Sequence, residues 1–165
     1  TETLASARGY AIYVRGNVDP VLSATTARWD VRAPINSGTV TFPATFTSSG
    51  TLANDGWNLV GNPYPATIDW DAASGGTRTA INNAIYMRDN GAGVVASYVG
   101  GVSANGGSRY IAIGQGFFVK SDGGPITFQA TENVKAASQQ TTFFREIPIT
   151  DILRITLRQG TLRDE

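Results

Sequence analysis

The sequence predicts an all-β protein, an antiparallel β-sandwich of the jelly-roll or Ig-like kind with at most one or two short helical turns. Three observations predict it. Short runs of β-branched and aromatic residues alternate apolar and polar positions, as around Trp29 and Val31, with the two-residue period of a strand. Glycine-rich turns separate these runs every ~8–12 residues. Helical periodicity with capping residues is scarce.

The expected strands follow one another along the whole chain. They cover residues 9–16, 27–33, 38–46, 56–61, 83–89, 96–100, 109–114, 116–121, 125–130 and 152–158. Short helices are expected only at 67–73, where Thr67 would cap and Asp69 would lie in the first turn, and at 77–84. The glycine-rich stretches between the strands, 100–107 among them, are expected to be loops.

The composition excludes several kinds of chemistry. The chain has 165 residues, enough for one domain with a sizeable core, and it contains neither cysteine nor histidine. Disulfides, thiolate zinc sites, most imidazole metal sites and the Ser-His-Asp triad are therefore excluded within this chain. The 13 basic and 13 acidic residues cancel, and the cations are scattered, which argues against nucleic-acid binding. No run approaches the ~20 apolar residues that span a bilayer.

Both ends of the sequence read as cuts in a longer polypeptide, because the first residues lack the charge order of a signal peptide and the last ones read as a strand. Residues 1–145 are expected to form one β-sandwich accessory module. Residues 146–165 are expected to be a linker with the first strand of a following segment, or the closing strand of the same sheet.

Residues 56–70, GWNLVGNPYPATIDW, hold the densest set of rigid residues in the chain. The strand is expected to end in a stiff corner, since each proline fixes its own φ and moves the preceding residue out of the helical region. An aromatic residue before proline also favours a cis bond at Tyr64–Pro65. The predicted corner consists of Gly61, Asn62, Pro63 and Pro65.

That stretch, together with RGYAIYV at 8–14, PINSGTVTFPATF at 34–46, NAIYMRD at 83–89, IAIGQGFFVKS at 111–121 with ITFQ, and TTFFR at 141–145, resembles a β-rich accessory module. Such modules lie near the C-terminus of large secreted and surface proteins of Bacteroidetes, which are cargo of type IX secretion. The resemblance covers residues ~8–145. It implies an extracellular location and no shared catalytic residues. It implies architectural roles for Gly56, Trp57, Asn58, Leu59, Gly61, Asn62, Pro63, Pro65, Asp69, Trp70, Gln115, Gly116 and Phe117.

Candidate ligand-binding residues come from aromatic rings and carboxylates. Exposed aromatic rings stack on sugars or on partner proteins, and a carboxylate pair beside an aromatic platform is what a glycosidase uses, although a second, convergent partner for Asp69 and Asp71 is missing. The competing interpretation is that the aromatic residues lie in the core and that the two aspartates lie at the start of a helix. The candidate set is Tyr13, Tyr64, Trp70, Asp69 and Asp71.

Oxygen ligands offer one metal candidate. Asp89 and Asn90 in DNGAG could contribute to a Ca²⁺ site, but the same residues favour a hairpin turn. No other cofactor and no catalytic residue are expected.

The expected function is that of a non-catalytic accessory module, secreted or at the cell surface, acting in adhesion, interaction or the presentation of neighbouring domains. The alternative is a carbohydrate-binding module that holds an attached hydrolase on its polysaccharide. The expected partners are neighbouring domains of the parent chain and a polysaccharide or surface protein, with neither nucleic acid nor a membrane span.

Overall fold

Antiparallel strands make up nearly all of the regular structure. The computed structural model describes residues 3–12, 21, 23, 25, 33–88, 93–138, 157–159 and 162–164, and every strand pair within them is antiparallel. The predicted all-β, sandwich-like fold is confirmed.

The first of two compact units consists of Thr1–Tyr10 and Asn36–Glu146. Its described strands are β1 Val40–Thr41, β2 Trp57–Gly61, β3 Ile68–Asp69, β4 Gly76–Thr79, β5 Ala84–Arg88, β6 Val95–Val99, β7 Val102–Ala104, β8 Tyr110–Ile111, β9 Gly116–Lys120 and β10 Thr127–Ala130. They form a five-stranded sheet in the order β2-β9-β5-β6-β7, a three-stranded sheet in the order β1-β10-β4 and the pair β3-β8.

The second unit consists of Ala11–Ile35 and Ile147–Glu165. Its described part contains an antiparallel hairpin of β11, Leu157–Gln159, and β12, Leu162–Asp164. The division of the sequence between residues 145 and 146 stays a prediction. In the part of the chain that the structure describes, no helix has the length and apolar character needed to cross a membrane.

The core lies where the inward faces of the two larger sheets meet. In the five-stranded sheet, Val60 pairs with Phe117, and both side chains are buried. Phe128 of the three-stranded sheet stacks on Phe42 with ring centroids 4.1 Å apart. Phe42 in turn meets Phe117 edge to face at 6.3 Å, so aromatic contacts join the two layers of the first unit.

Both expected helices are wrong. Residues 68–69 form β3 and 76–79 form β4, because their backbones pair with β8 and β10 respectively. Sheet pairing thus outweighs the local capping signals. The 3-10 turn in the described chain is Glu132–Val134, capped by the Thr131 side chain, which accepts the backbone N–H of Asn133. It had no predicted counterpart.

Most strand predictions in the described residues agree with the structure at the level of the element. The strand expected at 38–46 is only two residues long, whereas the loop expected at 100–107 contains β7. Described residues 9–12 form no strand, although Arg8 makes a single bridge to Val60. The remainder of the expected strands at 9–16 and 27–33 lies outside the described residues, apart from residue 33.

Candidate functional site

Asn62 holds together the corner that follows β2. Its side-chain oxygen accepts the backbone N–H of Tyr64 at 3.0 Å, and its own backbone N–H donates to the carbonyl of Gln115 at 3.0 Å. The side-chain NH₂ group lies 2.8–3.1 Å from three carbonyl oxygens, those of Ala66, Ile111 and Ala112. The corner is therefore fixed to the segment that leads into β9.

Tyr64 is a buried tether within this corner and is only 2% exposed. Its hydroxyl oxygen lies 2.7 Å from the carbonyl oxygen of Gly38 and 2.8 Å from that of Ala130. Burial, with the nearby negative charge of Glu132, raises the pKa of Tyr64 above its usual value. The Tyr64–Pro65 peptide bond is trans, although an aromatic residue before proline favours the cis form.

Trp70 is also a core residue and is 8% exposed. Its indole N–H donates to the side-chain oxygen of Asn83 at 2.9 Å. The guanidinium carbon of Arg78 lies 4.3 Å from the ring centroid, and Phe117 and Phe128 meet the ring edge to face. A ring that stacks on a sugar has to offer an open face, and in this structure neither Tyr64 nor Trp70 does.

Asp69 and Asp71 belong to one polar cluster with Arg109 and Tyr98. Two guanidinium nitrogens of Arg109 lie 2.7 Å from the two carboxylate oxygens of Asp69, the bidentate geometry of a strong ion pair. A third hydrogen bond joins Arg109 to the Asp71 carbonyl at 3.1 Å. The carboxylate of Asp71 accepts the hydroxyl of Tyr98.

Two side chains of this cluster have a raised pKa because each forms hydrogen bonds to an aspartate carboxylate. The hydrogen bond to Asp71 raises the pKa of Tyr98, and the hydrogen bonds to Asp69 raise the pKa of the Arg109 guanidinium. The small pocket beside Asp69 and Trp70 has a volume of about 30 Å³, which is room for a single water molecule and not for a sugar ring. Asp69 is thus an ion-pair partner that ties β3 to the segment before β8.

The remaining candidates lie elsewhere. Tyr13, Asp89 and Asn90 are outside the described residues, so their proposed roles stay predictions. The carboxylate of Glu132 pairs with Lys135 and accepts the backbone N–H of Gly38. Among the described residues, no three acidic side chains group together as a metal site requires.

A different surface presents aromatic rings, the outward face of the five-stranded sheet. Successive side chains of a strand alternate between faces, and the register places Leu59 beside Phe118 and Phe118 beside Tyr86, across β2, β9 and β5. The outward side chains of β2, β9, β5 and β6 include a contiguous set that we call the open face: Trp57, Leu59, Phe118, Lys120, Tyr86, Arg88, Val95 and Val99.

The open face is apolar with cations at its edges. Trp57, Val95 and Val99 are 41%, 51% and 44% exposed. The Trp57 and Tyr86 rings meet edge to face, with centroids 5.0 Å apart and an interplanar angle of 73°. The ammonium group of Lys120 lies 5.8 Å from the Trp57 centroid, within cation–π range.

Sequence reasoning missed this surface, because the resemblance implied architectural roles for Trp57 and Leu59, and the candidate binding residues did not include Tyr86 or Phe118. The alternation within each strand groups the outward residues correctly. Only the pairing of β2, β9 and β5 brings the three groups onto one face.

The outward face of the three-stranded sheet is polar by comparison. The amide of Gln129 donates to the hydroxyl of Thr41 at 2.9 Å. The other outward side chains of this sheet are Thr77, Thr79 and Thr127. We call this surface, made of Thr41, Thr77, Thr79, Thr127 and Gln129, the threonine face. The two outer faces of the first unit therefore differ in chemistry, so substitutions on the threonine face serve as controls for substitutions on the open face.

Comparison with protein-family models, with curated proteins and with solved structures found no match to this chain.

Proposed function

We propose that this chain is a non-catalytic accessory module of a secreted or cell-surface multidomain bacterial protein. It acts in adhesion or interaction, and it contacts other proteins through the open face. The observation that carries the proposal is the exposed aromatic and aliphatic surface around Trp57 and Tyr86. A contiguous apolar patch on a soluble protein is often a functional surface.

The state of the polar side chains supports a non-catalytic role. A general acid or base needs a carboxylate directed at a space where substrate can lie. Asp69 is bound by Arg109 through both oxygens, and Glu132 is bound by Lys135 and Gly38. The extracellular setting is supported by the motifs that resemble Bacteroidetes accessory modules, and a chain without cysteine suits a protein that does not depend on disulfides.

One observation favours the second candidate, a carbohydrate-binding module. Trp57 exposes part of its indole ring beside Lys120, as a sugar-binding tryptophan does. However, the angle of 73° between Trp57 and Tyr86 does not give the coplanar platform that would stack on successive sugars of a polysaccharide. Binding of a glycan would then rest on Trp57 rather than on Tyr64 or Trp70.

The test compares the purified chain with its Trp57→Ser/Tyr86→Ser variant. Both are incubated with intact Bacteroidetes cells, with protease-treated cells, and with a panel of insoluble polysaccharides with and without Ca²⁺. We expect the unsubstituted chain to be retained on intact cells, with a loss of at least ~10-fold on protease treatment or in the variant, as for removal of interface aromatic residues. No retention on polysaccharides is expected.

The matched control is Thr127→Ser on the threonine face, which should be retained like the unsubstituted chain. Retention on one polysaccharide that depends on Trp57 would favour the carbohydrate-binding candidate. Retention on nothing, or hydrolysis of a substrate by the purified chain, would contradict the proposal. Thermal melts of both variants establish that each is folded.

A further inference from the structure

The charges on the open face indicate the chemistry of its partner. Its charged side chains are Arg88 and Lys120, both cationic, and the described residues of this face include no carboxylate. We propose that the open face binds an acidic polypeptide segment that carries apolar side chains. This inference rests on the proposed function and specifies its partner.

The sheet register places apolar and cationic side chains in three neighbouring rows. The middle row runs across Leu59, Phe118 and Tyr86. Neighbouring rows on one face are separated by two residues, roughly 7 Å. Apolar side chains of a partner would cover this middle row.

The two flanking rows carry the cations. One contains Trp57 paired with Lys120. The other contains Gly61 paired with Gly116, and the antiparallel register continues that row to Arg88 on β5. Carboxylates on either side of the partner's apolar residues would therefore lie near Lys120 and Arg88, which is the charge complementarity that fixes orientation at an interface.

The size of the open face predicts weak binding. Strand spacing and row spacing give an area on the order of 300 Å². A stable interface buries about 800 Å² on each partner. The open face is thus suited to a single segment, and we expect the weak, transient binding that is typical of small interfaces.

Two synthetic peptides of 12 residues serve as probes. Both carry Phe and Leu at the same four positions and a fluorescein label, and one has six Glu residues where the other has six Lys residues. Fluorescence anisotropy with the full 165-residue chain should give affinity for the Glu peptide at least ~10-fold higher than for the Lys peptide. Raising the salt concentration to about 0.5 M should reduce this preference, since exposed charges are screened.

Three variants locate the site, and a fourth serves as the control. Arg88→Glu, alone and with Lys120→Glu, should abolish or reverse the preference for the Glu peptide. Because Lys120 also donates to the Leu52 carbonyl at 2.8 Å, the exposed Arg88 variant remains informative if the double variant loses stability. Tyr86→Ser should weaken both peptides, whereas Thr127→Ser on the threonine face should change neither.

Several outcomes would overturn the inference. They are binding of neither peptide, equal binding of both, or a preference that survives Arg88→Glu in a folded variant. Dimerisation that Tyr86→Ser abolishes would assign the face to a second copy of the chain, and retention on a polysaccharide would assign it to a glycan. If cell retention depends on Trp57 while the peptides fail, the proposed function stands and this inference fails. If instead the peptides bind as expected but cell retention does not depend on Trp57, the adhesive role is contradicted and this inference stands.

Discussion

Buried polar side chains near the corner each have hydrogen-bond partners. Asn58 accepts the backbone N–H of Thr45 and donates to the carbonyls of Thr45 and Gly56 at 2.8–2.9 Å. Asn62 makes a similar set of contacts around the prolines. Because an unpaired buried amide would be costly, these residues specify which segments cross next to β2.

Tyr64→Phe tests the tether at the residue scale. The substitution keeps the ring but removes the hydroxyl that contacts the buried carbonyl of Ala130 and that of Gly38. We expect a loss of about 1–3 kcal/mol in the free energy of unfolding, measured by urea denaturation. Tyr110→Phe, at an exposed tyrosine, is the control and should change little. An unchanged stability in Tyr64→Phe would contradict the tether.

The contacts of Asp55 predict that the free energy of unfolding depends on pH. The carboxylate accepts the backbone N–H of Ser49 at 2.5 Å and its hydroxyl at 2.8 Å. The backbone hydrogen bond is the largest cause that lowers the pKa of Asp55 in the folded protein. The lowered pKa stabilises the fold above the unfolded carboxyl pKa of about 3.9, and this contribution is lost as the pH falls through the folded pKa.

Urea denaturation of the unsubstituted chain and Asp55→Asn checks this prediction. The stability difference should be largest near neutral pH and should shrink at about pH 2.5. Ser49→Ala removes only the hydroxyl donor, so its effect at neutral pH should be smaller. A difference between the chain and Asp55→Asn that is constant with pH would rule out the carboxylate as the cause.

Among the elements, β2 begins and β9 ends at a point where the backbones of Gly56 and Ser121 come close together. Gly56 has a positive φ of 73° and accepts the backbone N–H of Ser121 at 2.8 Å. A Cβ at Gly56 would collide with the Ser121 carbonyl. Glycine is therefore required here for two reasons, its φ and the space it leaves.

Comparison of Gly56→Ala with Gly50→Ala separates these reasons. Gly50 has a φ of 80° but nothing within 4 Å of an added Cβ, so its substitution should cost about 1–2 kcal/mol. Gly56→Ala adds the collision and should cost more than about 3 kcal/mol. Equal midpoints in urea for the two variants would show that the approach to Ser121 is not constraining.

Alternation of apolar and polar residues predicts some strands of this protein but not others. The strands at 57–61, 84–88 and 116–120 were predicted within one residue, because each is apolar, alternating and bounded by glycine or polar residues. β4, with the sequence Gly-Thr-Arg-Thr, has no strong pattern of its own. Its strand conformation depends on pairing with β10, which local sequence does not encode.

For the molecule as a whole, the positions of the tryptophans decide their roles. The sequence contains three tryptophans, and residue type alone does not tell a core tryptophan from one on a binding surface. Trp70 packs between the sheets against Phe117 and Phe128, and Trp57 lies on the open face. Trp29 is outside the described residues. The inner and outer layers of aromatic residues therefore have different consequences for stability and for binding.

Trp70→Ala and Trp57→Ala form a matched pair at this scale. Loss of the buried ring should reduce the free energy of unfolding by about 3–5 kcal/mol. Loss of the exposed ring should cost less than about 2 kcal/mol and should weaken the partner binding proposed for the open face. Thermal denaturation checks the first difference. An equal loss in both variants would make the open face a stability element rather than a contact surface.

Local sequence was enough to predict the all-β class, the main strands and a stiff corner after β2, because period-two alternation, glycine and proline act through local backbone geometry. It also excluded cysteine and histidine chemistry by composition. Only the folded chain shows that Tyr64 and Trp70 are buried, that Asp69 binds Arg109, and that Trp57, Tyr86 and Phe118 share a face. These facts depend on contacts between segments far apart in sequence, such as Asp69 and Arg109, so no local pattern records them.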